Sequence, residues 1–362
     1  GRQVISGIGW ELVRRTREES GEPLPDFSTT NLNEHWRHQI SIDPVLFAAL
    51  CDEEFEKAGV IVKYHTMVGR ATLADDGIEL ELCGKDGLYP VFSRRVIDCT
   101  GDANVARMLH AEVRVSDPCQ PGTLCVYATG YDPEKLDLEA IRSAFDAAAA
   151  RGEVSCEDTG WSNGFNPHFL FGRGNNSNHI SGINAGDSAG RTRIEMAGRA
   201  SLLRLYRFLK KQPGLEKLAF KLNAAECGVR ETRTIVGKAT VTAEEYAAGK
   251  RYDDAVCHAF YPIDLHDAQV GLDKRPLAPG VVPTVPRGAL IPVNTRHLLA
   301  AGRILSSDRL ANSALRVQAT CMATGQAAGA LAALSVRLRT PAEEVSAAEL
   351  RKMLEANGAI VP

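Results

Sequence analysis

The sequence lacks what would mark a nucleic-acid binder, a metalloprotein or a membrane protein. Charge of one sign is missing: 42 Lys and Arg stand against 45 Asp and Glu, a formal net charge of −3. Such a balance offers neither a nucleic-acid surface nor a patch for an anionic membrane. No uninterrupted apolar run approaches the roughly 18 residues that span a bilayer. No CxxC occurs, and none of the nine cysteines (51, 83, 99, 119, 125, 156, 227, 257 and 321) has a histidine at finger-like spacing. Zinc and iron–sulfur ligation are therefore not expected. An odd number of scattered cysteines fits free thiols in a reducing compartment, hence a soluble, cytoplasmic protein, better than a disulfide framework. Residue 1 is glycine rather than methionine, as expected of a processed chain or of one whose N-terminus lies upstream, and any signal peptide would then not be seen.

What is present is ordinary in bulk and uneven in texture. The 362 residues are 44% hydrophobic and 24% charged, enough for one large or two modest domains with a real core. Residues 1–20 read as an amphipathic helix. Asp43-Pro44 opens a second helix, with Asp as cap and Pro at the first position, and Gly59 closes it. VIVKYHT (60–66) reads as a strand. ATLAD, GIELELCG and YPVFSRRVIDCT follow as a small meander turned at DDG (75–77) and KDG (85–87). Residues 133–151 and Arg193 to Lys211 read as helices, the latter stopped by Pro213-Gly214. Between them, 155–190 is rich in Gly, Asn and Ser. The final helices are expected at 316–336 and 342–356. No internal repeat is found. The order runs from α/β through mixed α+β and back to α/β, which predicts a discontinuous domain with an insertion.

Two strand-to-helix junctions carry the functional signal. In LLAAGRILSSDRLANSALRVQATCMATGQAAG, a short apolar strand stops at Gly302, where the absence of a Cβ lets backbone approach a ligand. Asn312 and Ser313 read as N-caps of the helix that follows. Its first amides would favour a phosphate, a carboxylate or the flavin pyrimidine edge. The small residues Ala319, Ala323, Ala327 and Ala330, with the Gly325/Gly329 pair, suit close helix packing, and close packing alone explains them equally well. VIDCTGDANVA repeats the logic at Thr100-Gly101. Two such corners suggest strand ends that converge on a ligand.

Together with VKYHT (62–66), VIDCTGDANVARML (96–109), GVRETRTIVG (228–237) and YPIDLHD (261–267), these segments resemble the FAD-dependent oxidoreductases of the two-dinucleotide-binding-domain superfamily, in order along nearly the whole chain. The resemblance implies an α/β fold. An FAD/NAD(P)-binding Rossmann-like domain, incomplete at its N-terminus, would span 1–130 and 291–362, and an inserted α+β substrate domain 131–290. It implies FAD as cofactor and hydride transfer from a small organic substrate. It places Val68 near the adenine end and Thr100, Gly101 and Asp102 in a second FAD-contacting turn. Gly302 and Arg303 would meet the pyrophosphate and ribityl chain, and Leu315, Arg316 and Val317 would present backbone to the flavin N1/C2=O side. The family's opening strand, GxGxxG and ribose-binding acid have no counterpart here; Gly7-Ile8-Gly9 is only a fragment of the motif. A fragmentary chain, a partner chain or homo-oligomer supplying that unit, or loss of FAD would each account for this. The alternative function is a non-catalytic, degenerate subunit working with a partner. A reductase using NAD(P)H would need a second glycine fingerprint, which is absent.

Three residues are candidates for substrate chemistry. Arg230 in GVRET could hold a substrate carboxylate bidentately or balance reduced-flavin charge, or form a structural pair with Glu231. His266 could move a proton beside hydride transfer, or be a loop histidine tied to Asp264 or Asp267. His179 lies in GRGNNSNHISGINAGD (172–187), a pocket lining or a loop turning on Gly and Asn. Cys321 is read as a buried structural thiol in preference to a redox partner for the flavin. Arg309 and Asn312 stand where, by the resemblance, histidines are frequent, so substrate or chemistry here could differ.

Overall fold

A computed structural model describes residues 3–29, 38–160, 164–176, 178–222, 224–267 and 271–362. The fold is mixed α/β. In chain order the amphipathic α1 (Ile8–Glu19) buries Leu12 and Thr16. In α2 (Pro44–Lys57) the Asp43 carboxylate caps the amides of Val45 and Leu46, and Gly59 follows in the left-handed region at φ +67. The meander forms as expected: β1 (Met67–Leu73), β2 (Ile78–Gly84) and β3 (Gly87–Ser93) are antiparallel neighbours. Then come β4 (Val96–Asp98), α3 (Asn104–Met108), β5 (Val113–Val115), β6 (Val126–Thr129), α4 (Leu138–Ala150), α5 (His168–Phe171) and β7 (Gly174–Asn175). The long α6 (Ser188–Leu209), capped by Asp187, starts five residues before the expected Arg193. The chain continues through β8 (Ala219–Leu222), β9 (Arg233–Ile235), α7 (Ala243–Ala247), β10 (Ala255–His258), β11 (Ile263–Asp267), β12 (Gly271–Arg275) and β13 (Thr284–Pro286). It closes with β14 (Leu298–Ala300), α8 (Arg309–Leu315), α9 (Gln318–Leu338) and α10 (Ala347–Ala356).

The expected strand at 60–66 does not form: these residues lie outside any strand. Val60, Ile61, Val62 and Tyr64 are exposed, with Ile61 at 83%. Their β-branched run has strand propensity, but a strand needs a neighbour to pair with, and none engages it among the described residues.

Two compact units divide the chain. The first comprises Gly1–Arg114, Thr234–Ile263 and Pro276–Pro362; the second Val115–Arg233 and Asp264–Arg275. In the first, β4 and β14 pair in parallel and β10 pairs antiparallel with β13. Its core includes Leu299, Leu315, Ala327, Leu331 and Leu334, with a second cluster of Ala71, Ile78, Ala103, Leu298 and Ile304. Helix α9 is long and apolar enough to cross a bilayer by length and composition, yet Ala327, Ala328, Leu331 and Leu334 belong to that core. Close approach to α1 does occur, but a glycine of α1 permits it: a Cβ on Gly9 would lie 2.6 Å from Met322 Cβ. The Gly325/Gly329 pair does not contribute, since among the described residues a Cβ there would meet nothing within 4 Å.

The second unit orders β7, β6 and β8 in one sheet and pairs β11 with β12. Phe145, Phe165, Phe169 and Phe208 fill its core with α4 and α6, Phe145 standing 5.4 Å from both Phe165 and Phe208. Buried Asp158 ties the loop to α6, accepting from Ser201 and from two nitrogens of Arg204.

Candidate functional site

In the first unit, Val96, Ile97 and Asp98 of β4 lie opposite Leu298, Leu299 and Ala300 of β14. Parallel register brings both carboxyl ends, and the corners after them, to one place. Buried Asp98 builds the first corner. Its Oδ1 accepts from the amide and hydroxyl of Thr100 at 2.9 and 2.7 Å, and Oδ2 accepts from the amide of Ala106 at 3.0 Å. One carboxylate thus fixes the turn and the start of α3.

Gly101 and Gly302 share φ +76, a conformation side chains rarely adopt. Their surroundings differ. Among the described residues a Cβ on Gly302 would find only Cys321 Sγ, at 3.9 Å, whereas one on Gly101 would lie 2.4 Å from Arg303 Cζ. The Arg303 guanidinium therefore covers Gly101. Its Nη2 pairs with Asp102 Oδ1 at 3.0 Å, while its Nε is buried without an acceptor among the described residues. The Gly302 amide donates to Thr324 Oγ1 at 3.2 Å.

Helix α9 begins at Gln318 with Val317 as N-cap, which makes no side-chain capping hydrogen bond. Asn312 and Ser313 are not its caps. They lie inside α8, which is capped by Asp308. The α8–α9 break falls at Arg316-Val317, later than the polar pair suggested. Buried Asn312 instead donates to Arg303 O at 2.9 Å and Ser307 Oγ at 3.1 Å, so it holds the second corner from behind. Leu315 is fully buried, leaving only its backbone to face a ligand. Cys321 stands one turn into α9. Burial pushes its thiol up to about 11, against the pull of Arg303 and Arg316, so it stays protonated at neutral pH. Both guanidiniums thus lie within electrostatic reach of one sulfur.

Thr100, Gly101, Asp102, Gly302, Arg303, Arg316 and Val317 are accordingly gathered at one end of the parallel pair. Val68, on β1, packs against the cluster that contains Ala103 and Ile304. Uncapped helix amides, a buried guanidinium N–H without an acceptor and an open Gly302 corner suit an anionic or electron-rich ligand edge. These residues fit the ribityl and pyrimidine portion of a flavin. Asn312 and Thr324 were not foreseen as supports: Asn312 has the chemistry of a helix cap, and nothing local marks Thr324 out from its helix neighbours.

The second unit gathers the other candidates. Arg230 donates from Nη1 to Thr123 Oγ1 at 3.0 Å and from Nη2 to Asn176 Oδ1 at 2.9 Å, with Pro121 O as a further acceptor. His179 and His266 stack with ring centroids 5.8 Å apart. His266 Nε2 lies 3.5 Å from Asp264 Oδ2, and its backbone N–H donates to Gln120 Oε1; the Gln120 backbone N–H in turn donates to Glu231 Oε2. His179 is 4% exposed. Burial first, then Arg230 and His266, pull its pKa down to about 3, so its imidazole is neutral at pH 7. The cluster offers a fixed cation, a neutral imidazole and a carboxylate-tied one.

All nine cysteines are free thiols. No curated protein matches the chain. Among solved structures, it is similar to OxyS anhydrotetracycline hydroxylase from Streptomyces rimosus, 17% identical over 38% of this chain and 31% of that one, with TM-score 0.27. It thus covers about a third of that relative's length, and a likeness so slight carries no argument. The family comparison is of another order: residues 1–354 match the model described as FAD dependent oxidoreductase. FAD is that family's cofactor, in agreement with the glycine corners and the bare α9 terminus, and the chain belongs to the FAD dependent oxidoreductase family.

Proposed function

We propose that the protein is an FAD-dependent oxidoreductase that takes a hydride from a small organic substrate. The observation that supports this most is the gathering of Gly101, Gly302, Arg303 and the uncapped start of α9 at one end of the β4–β14 pair. Thr100, Asp102, Leu315, Arg316 and Val317 complete the cofactor-holding set, with Val68 toward the adenine. FAD supplies a two-electron acceptor when bound. Arg230 orients a substrate anion through its planar fork. His266, held by Asp264, accepts the substrate proton. His179 presents a neutral imidazole beside it. In this reading an incomplete Rossmann-like FAD domain, expected at 1–130 and 291–362, surrounds a substrate insert expected at 131–290, whereas the compact units also assign Thr234–Ile263 and Pro276 onward to the first and Val115 onward to the second. Because no GxGxxG occurs in the sequence, this reading needs a pyrophosphate cradle from residues other than these, such as a partner chain.

Purified protein showing flavin absorption that bleaches on reduction supports this reading. Replacing Arg230 with Ala should then lower turnover and leave FAD content intact; unchanged turnover removes the role given to Arg230. A second reading, a non-catalytic subunit acting with a partner chain, draws on the exposed apolar run Val60–Tyr64. A colourless protein that FAD does not stabilise thermally favours it.

A further inference from the structure

The opposite ends of the same two strands border a different feature. A cavity of about 660 Å³ opens within the first unit where β4 and β14 begin, a size within the usual range of small-molecule sites. One wall is a fixed polar network. Arg95 donates from Nε to Ser335 Oγ at 2.8 Å and from Nη2 to Thr340 O at 3.2 Å, and its Nη1 lies 2.9 Å from His297 Nδ1. These bonds hold a guanidinium against the carboxyl end of α9, where its positive charge opposes the negative end of the helix dipole.

Around this wall, Arg94, Arg296 and Arg339 line the same cavity, and none of the three has an ion-pair partner among the described residues. Lys238 is matched by Glu343 at 3.1 Å. What remains is Arg94, Arg95, Arg296 and Arg339 against Asp75 and Asp76, a net positive concavity that concentrates anions. The backbone adds a second sign. Asn294, His297 and Arg339 all line the cavity and all have positive φ, at +56, +65 and +54. They are three of the eight non-glycine residues in that region among those described. Such strain gathers at ligand sites, and Arg339 stands at the helix end where glycine is the usual residue.

We propose that this cavity binds a small polyanion bearing two or more phosphate or carboxylate groups, held by Arg94, Arg296 and Arg339 over the Arg95–His297 wall. The site is separate from the glycine corners and does not depend on the flavin reading. The guanidinium fork matches both anion classes, so the test runs both. Calorimetric titration of the purified chain with inorganic pyrophosphate and with citrate, at constant ionic strength, should give saturable binding to at least one. Pyrophosphate alone assigns a phosphate ligand, and citrate alone a carboxylate ligand. The exposed pair R296Q/R339Q should weaken that binding by roughly tenfold or more, the loss expected for a charge-assisted contact, with its unliganded melting temperature and any flavin absorption unchanged. R94Q serves as an independent second variant. No saturable heat with either anion, equal affinity in both variants, or a thermal shift that potassium chloride reproduces would overturn the proposal.

Discussion

Gly101 and Gly302 form a matched pair for substitution by alanine, because their φ is the same and their neighbours are not. Placing a Cβ in the left-handed region costs about 1–2 kcal/mol, and the stiffer unfolded chain returns about 0.4–1 kcal/mol. For Gly302→Ala that is the whole effect without ligand, since only Cys321 Sγ is near, at 3.9 Å: a net loss of about 1 kcal/mol. For Gly101→Ala the new methyl collides with Arg303, 2.4 Å away. The guanidinium must swing off Asp102, whose side chain is 20% exposed against 30% for Arg303. A partly exposed pair is worth about 0.5–1 kcal/mol. Gly101→Ala should therefore melt about 1–4 °C below Gly302→Ala, at about 2–4 °C per kcal/mol. With FAD the order reverses for affinity. Gly302→Ala fills the open corner and should weaken flavin binding more than Gly101→Ala, as read by flavin fluorescence titration. Equal melting temperatures refute the covering of Gly101 by Arg303. Wild-type flavin affinity in Gly302→Ala refutes the approach of a ligand to that corner.

Other consequences follow from the same geometry. Asp98→Ala removes three hydrogen bonds from a buried carboxylate and should cost about 2–4 kcal/mol in urea unfolding, with FAD affinity falling as the Thr100 corner loosens. Tyr246→Phe deletes the 2.7 Å bond from a buried hydroxyl to Tyr261 O, for a loss of about 1 kcal/mol and no change in flavin absorption. His179 has its pKa lowered from 6.5 to about 3 by burial, Arg230 and His266. The unfolded chain therefore takes up a proton that the folded one refuses, so its stabilising contribution is complete above pH 6.5 and is lost as pH falls toward 3. His179→Gln should flatten the stability curve over that window; an unaltered slope would show the imidazole to be solvated.

The parts of the fold that were legible share a local cause. Asp43 before Pro44, glycine at 59 and the DDG and KDG turns each act through their nearest neighbours, so sequence alone suffices to place α2 and the meander. The two glycine corners were legible for the same reason. What escaped was decided by residues far apart in the chain. Asn312 has the chemistry of a helix cap, and only the fold reveals that its amide is spent on Arg303 O and Ser307. The run at 60–66 carries strand propensity, but pairing is a property of two segments, and propensity cannot supply the second. Arg94, Arg296 and Arg339 look like solvated surface charge in sequence because they lie 43 to 245 positions apart; β4, β14 and α9 must assemble before they ring one cavity. The rule that follows is about range. Conformational specialists such as glycine and proline announce themselves, whereas a polar side chain discloses its purpose only with the partner that the fold delivers.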